Sequence, residues 1–282
     1  MRIGGSVVPP YNSPEEWISH VKTLNYSAVM SPVSAGASGE EIRAYRESAE
    51  KHGLIIGEVG IWKNTLSPNE NERKKAMAYA KEQLALAEEL NANCAVNITG
   101  ARGEVWDGCY AENYSKDAYA LIIDSVREII DSVKPSRTFY TLEPMPWMRP
   151  DSPEGYLELI KDVERPAFAV HLDYCNMINS VDKYINSSDF IKRCFDLLGP
   201  YIKSIHAKDV IIKHNTLPCH IQEVPPGHGS VDFGLVLRLT QKLGNDTTLF
   251  AEHLETHEQY LDASGYIRAQ AEKAGVPVVS VF

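Results

Sequence analysis

The chain has 282 residues, 44% hydrophobic and 23% charged, a balance that suits a globular protein with a sizeable core. Its formal charge of -10 repels phosphate backbones and anionic lipid headgroups, which argues against nucleic acid and membrane surfaces as partners. No run approaches bilayer length, the first residues do not read as a signal peptide, and the five cysteines lack close metal or redox spacing, so the cytoplasm is the expected compartment.

Short β-branched runs alternate with longer amphipathic stretches along the chain. A strand at 2–6 precedes a helix over 14–24, with Ser13 as N-cap and Pro14 at the first helical position. A strand at 28–30 leads to a helix over 40–52 that ends at Gly53, and a strand at 55–60 leads to a long helix over 69–91. The pattern continues with strands at 95–99, 138–143 and 168–173, followed by helices over 115–133, 153–163 and 187–198. Strands at 202–206 and 249–252 precede helices over 233–243 and 256–274. Eight such units in one direction close naturally into a single (β/α)8 TIM barrel spanning residues 1–282 as one domain. The open doubly wound alternative lacks a Gly-x-Gly-x-x-Gly turn after its first strand.

In a parallel barrel the chemistry sits at the C-terminal strand ends. Four consecutive strands end in Glu143, Asp173, His206 and Glu252. Neighbouring strands lie about 4.8 Å apart, so these ends can meet at one ion. A lone carboxylate there often caps the next helix, but a run of four such residues on consecutive strands argues for a metal site. Three carboxylates and an imidazole suit a hard divalent cation: Mn2+ first, with Mg2+, Co2+ or Zn2+ as alternatives.

The segments Leu142-Glu143-Pro144, His171-Leu172-Asp173, Ser204-Ile205-His206-Ala207-Lys208-Asp209 and Gly227-His228-Gly229-Ser230-Val231-Asp232-Phe233, with the final Glu252, carry a resemblance. The chain resembles the xylose isomerase-like TIM barrels of the sugar phosphate isomerase/epimerase superfamily over essentially its whole length. The resemblance implies one divalent metal on Glu143, Asp173, His206 and Glu252, with Glu143 and Glu252 either ligands alone or both ligands and an acid/base pair. The expected reaction is isomerisation or epimerisation of a small carbohydrate through a metal-stabilised enediolate. Two positions depart from the epimerase pattern: Asn176 stands where a His is common, and Ile212 where an Arg is common. Met145-Pro146-Trp147-Met148 and Asn176-Met177-Ile178-Asn179 are similar to members that act on oxidised glycosides, so a lyase or dehydratase is the alternative. That alternative cleaves a 3-keto glycoside or dehydrates a keto-sugar or cyclitol. A non-catalytic sugar-binding barrel, a partner subunit and a homo-oligomer remain open. The superfamily's three-zinc nucleases need more histidines, and none occurs here between His52 and His171.

Further substrate contacts are expected from loops on the same face. Trp62, Trp106 and Trp147 follow the third, fourth and fifth strands, where rings stack on sugars or simply pack in loops. His171 points the same way as Asp173 one step deeper, as a substrate contact, a support for the ligands or a core residue. Lys208 and Asn176 are candidates for holding substrate oxygens, and His228 for a contact from the loop above. His220, Gln222 and Glu223 belong to a possible lid, and Asp209 is expected to position its loop. Arg102 and Arg149 offer no glycine-rich phosphate cradle, which favours an unphosphorylated substrate.

Overall fold

A computed structural model describes residues 1–282. In chain order it contains β1 (Arg2–Gly5), α1 (Pro14–Thr23), β2 (Ala28–Met30), α2 (Gly39–Lys51), β3 (Ile55–Gly60), α3 (Glu70–Glu89) and β4 (Cys94–Asn97). There follow α4 (Lys116–Val133), β5 (Phe139–Leu142), α5 (Pro153–Val163), β6 (Phe168–Leu172), α6 (Val181–Ile185) and α7 (Ser187–Leu198). The last elements are β7 (Ile202–His206), β8 (Asp209–Ile212), β9 (Ile221–Val224), α8 (Phe233–Leu243), β10 (Thr248–Ala251) and α9 (His257–Lys273).

The helices start where their sequences supply an acceptor for the free amides of the first turn. Ser13, Ser38, Asn69, Ser115, Ser152, Asp232 and Thr256 each accept such an N–H, and Thr256 forms a reciprocal capping box with Gln259. Each long helix then buries one stripe. In α4 that stripe is Ala118, Ile122, Val126, Ile129 and Ile130, at helical spacing.

Eight strands form one parallel sheet in the order β1-β10-β7-β6-β5-β4-β3-β2, a TIM barrel. The seam between β1 and β2 closes through Ser27, whose backbone N–H donates to Ile3 O at 3.0 Å. The Ser27 hydroxyl in turn accepts the Ile3 amide at 3.3 Å. Inside the barrel the Phe250 ring occupies space that Cβ atoms on Gly4 and Gly57 would enter, at 2.5 Å in both cases. Glycine at those two positions is therefore a condition for an aromatic plug.

The expected strands all occur, but β1, β5, β6 and β10 stop one residue short of the expected end and β4 two short. Glu143, Asp173 and Glu252 lie just past the last ladder residue of β5, β6 and β10, where the following loops diverge. The segment after Lys208, expected as a loop, contains the antiparallel hairpin β8–β9, pairing Asp209 with Val224 and Ile212 with Ile221. The short helix α6 is also additional. No helix is long and apolar enough to cross a membrane.

Candidate metal centre

The ends of β5, β7 and β10 are held by specific contacts. Tyr156 of α5 is fully buried; its hydroxyl donates to Leu142 O at 2.7 Å and accepts the Leu142 amide at 3.0 Å. The next amide, that of Glu143, donates to Asn97 O at 2.7 Å, so the backbone carrying Glu143 is tied to both α5 and β4. On β7, the amide after His206 donates to Phe250 O at 2.7 Å, which couples that strand end to β10.

Glu143, Asp173, His206 and Glu252 each present one donor atom, and these atoms all lie within 4.8 Å of one another. His206 Nδ1 faces the three carboxylates, 2.8 Å from Glu252 Oε1, 3.6 Å from Glu143 Oε1 and 3.7 Å from Asp173 Oδ2. All four side chains are buried. Lys208 is buried beside them, its Nζ 2.8 Å from Asp173 Oδ2, 3.5 Å from Glu143 Oε1 and in contact with Glu252 Oε1. Glu223 of β9 reaches the same ammonium at 3.4 Å and accepts His253 Nδ1 at 3.0 Å.

Such a concentration of charge dictates the protonation states. Burial alone would raise the carboxylate pKa values, but Lys208 and His206 hold Asp173 far below the usual carboxylate range. Glu252 is held at about 2, burial again opposing, with His206 the strongest stabilising neighbour. Burial disfavours charge on Lys208 and His206 as well. The surrounding carboxylates outweigh it and push both pKa values well above their ordinary range.

The donor set fits a divalent cation on a further ground. His206 Nδ1, Asp173 Oδ2, Glu252 Oε1 and Lys208 Nζ are buried and face one another as ion pairs, yet none makes a well-directed hydrogen bond, which buried polar atoms seldom lack. His206, Asp173 and Glu252 belong to the same converging cluster.

The model of the family described as "Xylose isomerase-like TIM barrel" matches residues 18–270. The chain belongs to that family. No curated protein matches it. Among solved structures, it resembles a xylose isomerase-like TIM barrel protein from Mycobacterium smegmatis in complex with magnesium, at 18% identity and TM-score 0.67, covering 93% of this chain and 90% of that one. It also resembles D-psicose 3-epimerase from Clostridium cellulolyticum, at 16% identity and TM-score 0.65, covering 97% and 96%. A third is 3-keto-D-glucoside 4-epimerase from E. coli, at 15% identity and TM-score 0.67, covering 95% and 99%. At these identities the likeness establishes the fold.

Within this family member, the expected site residues fall into three groups. Glu143, Asp173, His206, Glu252, Lys208 and Asn176 converge. The Asn176 amide group donates to Glu143 Oε1 at 2.8 Å, and its backbone N–H to Asp173 Oδ1 at 2.9 Å. His171 is fully buried and turns its Nε2 to Glu58, at 3.1 Å, in the barrel interior. The remaining residues lie in loops outside the cluster. Trp147 borders a cleft of about 530 Å³ with Asn176, Ile178, Val210, Ile221 and Glu223. Trp62 and Trp106 share a separate groove of about 580 Å³. His228 is exposed at the tip of a loop whose flanking amides, those of Gly227 and Gly229, donate to Asp209 at 3.1 and 2.9 Å.

Glu58 and Ser204 were not among the expected site residues. The available signal was a carboxylate in the middle of a barrel strand, at the centre of Ile55-Ile56-Gly57-Glu58-Val59-Gly60.

Proposed function

We propose that this protein is a divalent-metal-dependent sugar isomerase or epimerase that moves a proton on a carbon next to a carbonyl. The observation that carries the reading is the buried convergence of Glu143, Asp173, His206 and Glu252 within 4.8 Å, with three of their donor atoms making no well-directed hydrogen bond. Those four residues would hold the cation. When bound, it supplies polarisation of the substrate carbonyl and of its neighbouring hydroxyl.

Around it, this chain's residues have distinct work. Glu143 and Glu252 come from β5 and β10, on either side of β6 and β7, and act as the pair that removes and returns the proton. Asn176 holds the Glu143 carboxylate in place through its 2.8 Å hydrogen bond. The Lys208 ammonium adds positive charge beside the carbon that becomes electron-rich. Mn2+ is the expected ion, with Mg2+, Co2+ and Zn2+ as alternatives. A small unphosphorylated carbohydrate is the expected partner, and the cytoplasm the expected compartment.

A second reading, elimination from an oxidised 3-keto glycoside or dehydration of a keto-sugar or cyclitol, is favoured by the cleft beside Asn176. Trp147, Ile178, Val181, Val210 and Ile221 make its wall largely apolar, which suits an aglycone better than a free sugar.

The test is incubation with ketoses and 3-oxo-glycosides in D2O with added Mn2+. Deuterium enters the substrate next to the carbonyl, and Glu143→Gln abolishes the exchange. Release of an aglycone selects the second reading. Exchange that survives complete chelation of metal would sink both.

A further inference from the structure

The four-ligand centre rests on a buried polar cluster in which Glu58 is the common partner. Glu58 lies midway along β3, 3% exposed, and both of its carboxylate oxygens are engaged. Oε1 meets His171 Nε2 at 3.1 Å and the Ser204 hydroxyl; Oε2 meets His206 Nε2 at 3.3 Å. Ser204 also lies 2.8 Å from the Thr248 hydroxyl, so β3, β6, β7 and β10 all contribute. A buried carboxylate is costly unless paired, so this one needs a reason to be here.

The His206 ring supplies the reason. Its Nε2 faces Glu58, and its Nδ1 faces Glu143, Asp173 and Glu252. Both nitrogens thus meet carboxylates; a cation seated among Glu143, Asp173 and Glu252 would take the lone pair of Nδ1, and the ring's one proton would then sit on Nε2, where Glu58 accepts it. The His171 ring packs edge-on against His206 at a centroid distance of 4.0 Å and limits its rotation.

We propose that Glu58 is the positioning residue of the metal centre: it holds the proton of His206 on Nε2 and so presents a neutral Nδ1 to the cation. The inference rests on the metal reading of Glu143, Asp173, His206 and Glu252. Glu58, His171 and His206 also have donor atoms close enough to hold an ion themselves. Their separations of 3.1 and 3.3 Å are hydrogen-bond distances, so they satisfy one another without one.

The experiment is calorimetric titration of chelator-stripped wild type and Glu58→Gln with Mn2+, alongside the melting temperature of each metal-free form. Wild type binds one ion per chain. Glu58→Gln binds it roughly 10- to 100-fold more weakly, a loss confined to the metal-loaded form. If wild type binds no ion, the metal reading falls and this inference with it. If wild type binds one ion and Glu58→Gln binds it equally well, only the role of Glu58 falls. Two ions per wild-type chain would also overturn that role. Should Glu58→Gln not fold, NMR of isotope-labelled histidine in the Cd2+-loaded wild type decides. Metal coupling at Nδ1 of His206 with a protonated Nε2 is expected, and coupling at Nε2 refutes the proposal.

Discussion

The side-chain amide of Asn176 donates to Glu143 Oε1 across 2.8 Å, so a residue from the loop after β6 holds the carboxylate that follows β5. A hydrogen bond to a charged group contributes about 1.5–3 kcal/mol. Asn176→Ala should therefore lower kcat/KM by roughly 10- to 100-fold, since each 1.4 kcal/mol is tenfold. Asn176→Asp should be worse, because it places a like charge against Glu143. Steady-state kinetics on the substrate found by deuterium exchange, compared with wild type, is the check. Activity in Asn176→Asp equal to wild type would contradict this role.

Lys208 is enclosed by Asp173, Glu143, Glu252 and Glu223. Removing one partner of a buried ion pair typically costs about 3–5 kcal/mol, because the remaining charges lose their compensation. Lys208→Met should destabilise the chelator-treated protein by about that amount. A divalent cation restores positive charge at the same carboxylates, so the deficit should shrink when Mn2+ is added. Denaturant midpoints measured with chelator and with Mn2+ give the comparison, and an equal deficit under both conditions would count against it.

Glu88, at the end of α3, accepts the backbone amides of Ser136, Arg137 and Thr138 and the Ser136 hydroxyl. Burial opposes its charge, but these donors win and hold its pKa at about 2, from an ordinary 4.5. A depressed carboxylate pKa stabilises the fold above the unfolded value and loses that contribution as pH falls through the folded one. Glu88→Gln should cost about 1–3 kcal/mol at neutral pH. The gap to wild type should close between pH 4.5 and 2. Urea unfolding of both proteins across that interval measures it; a gap independent of pH would refute the assignment.

Gly57 lies against the Phe250 ring so closely that a Cβ would stand 2.5 Å from it. Gly57→Ala should cost about 1–3 kcal/mol through overpacking. Phe250→Leu in the same chain should recover part of the loss, giving a favourable coupling in a double-mutant cycle. Strict additivity of the two changes would show that the contact is not responsible.

The barrel and the four ligand candidates were legible because each signal was local. An apolar run ending in Glu143 or Asp173 shows both a strand and its chemical end within a few residues. The helix starts were legible for the same reason, Ser13 before Pro14 being one case. Glu58 was not, since its meaning comes from His171 and His206, 113 and 148 positions away. The hydrogen bond from the Asn176 amide group to Glu143 was not legible either, because only the spacing between β5 and β6 reveals it. The β8–β9 hairpin escaped notice because Gln222 and Glu223 interrupt the apolar run of β9, so Ile221–Val224 reads as loop rather than as a barrel strand.

Asp209 collects the amides of Val210, Gly227, Gly229 and Val231, so one carboxylate clasps both ends of the excursion that contains the hairpin. Whatever lies between those ends is hung from the barrel at a single knot. That span sets Val210 and Ile221 in the wall of the cleft and brings Glu223 to Lys208, so exchanging it would reshape the opening and remove one carboxylate from the Lys208 ammonium. Glu223 and Asn176 border the cleft and touch the buried cluster as well, so a change in the shape of the opening is felt directly at the charges beneath it.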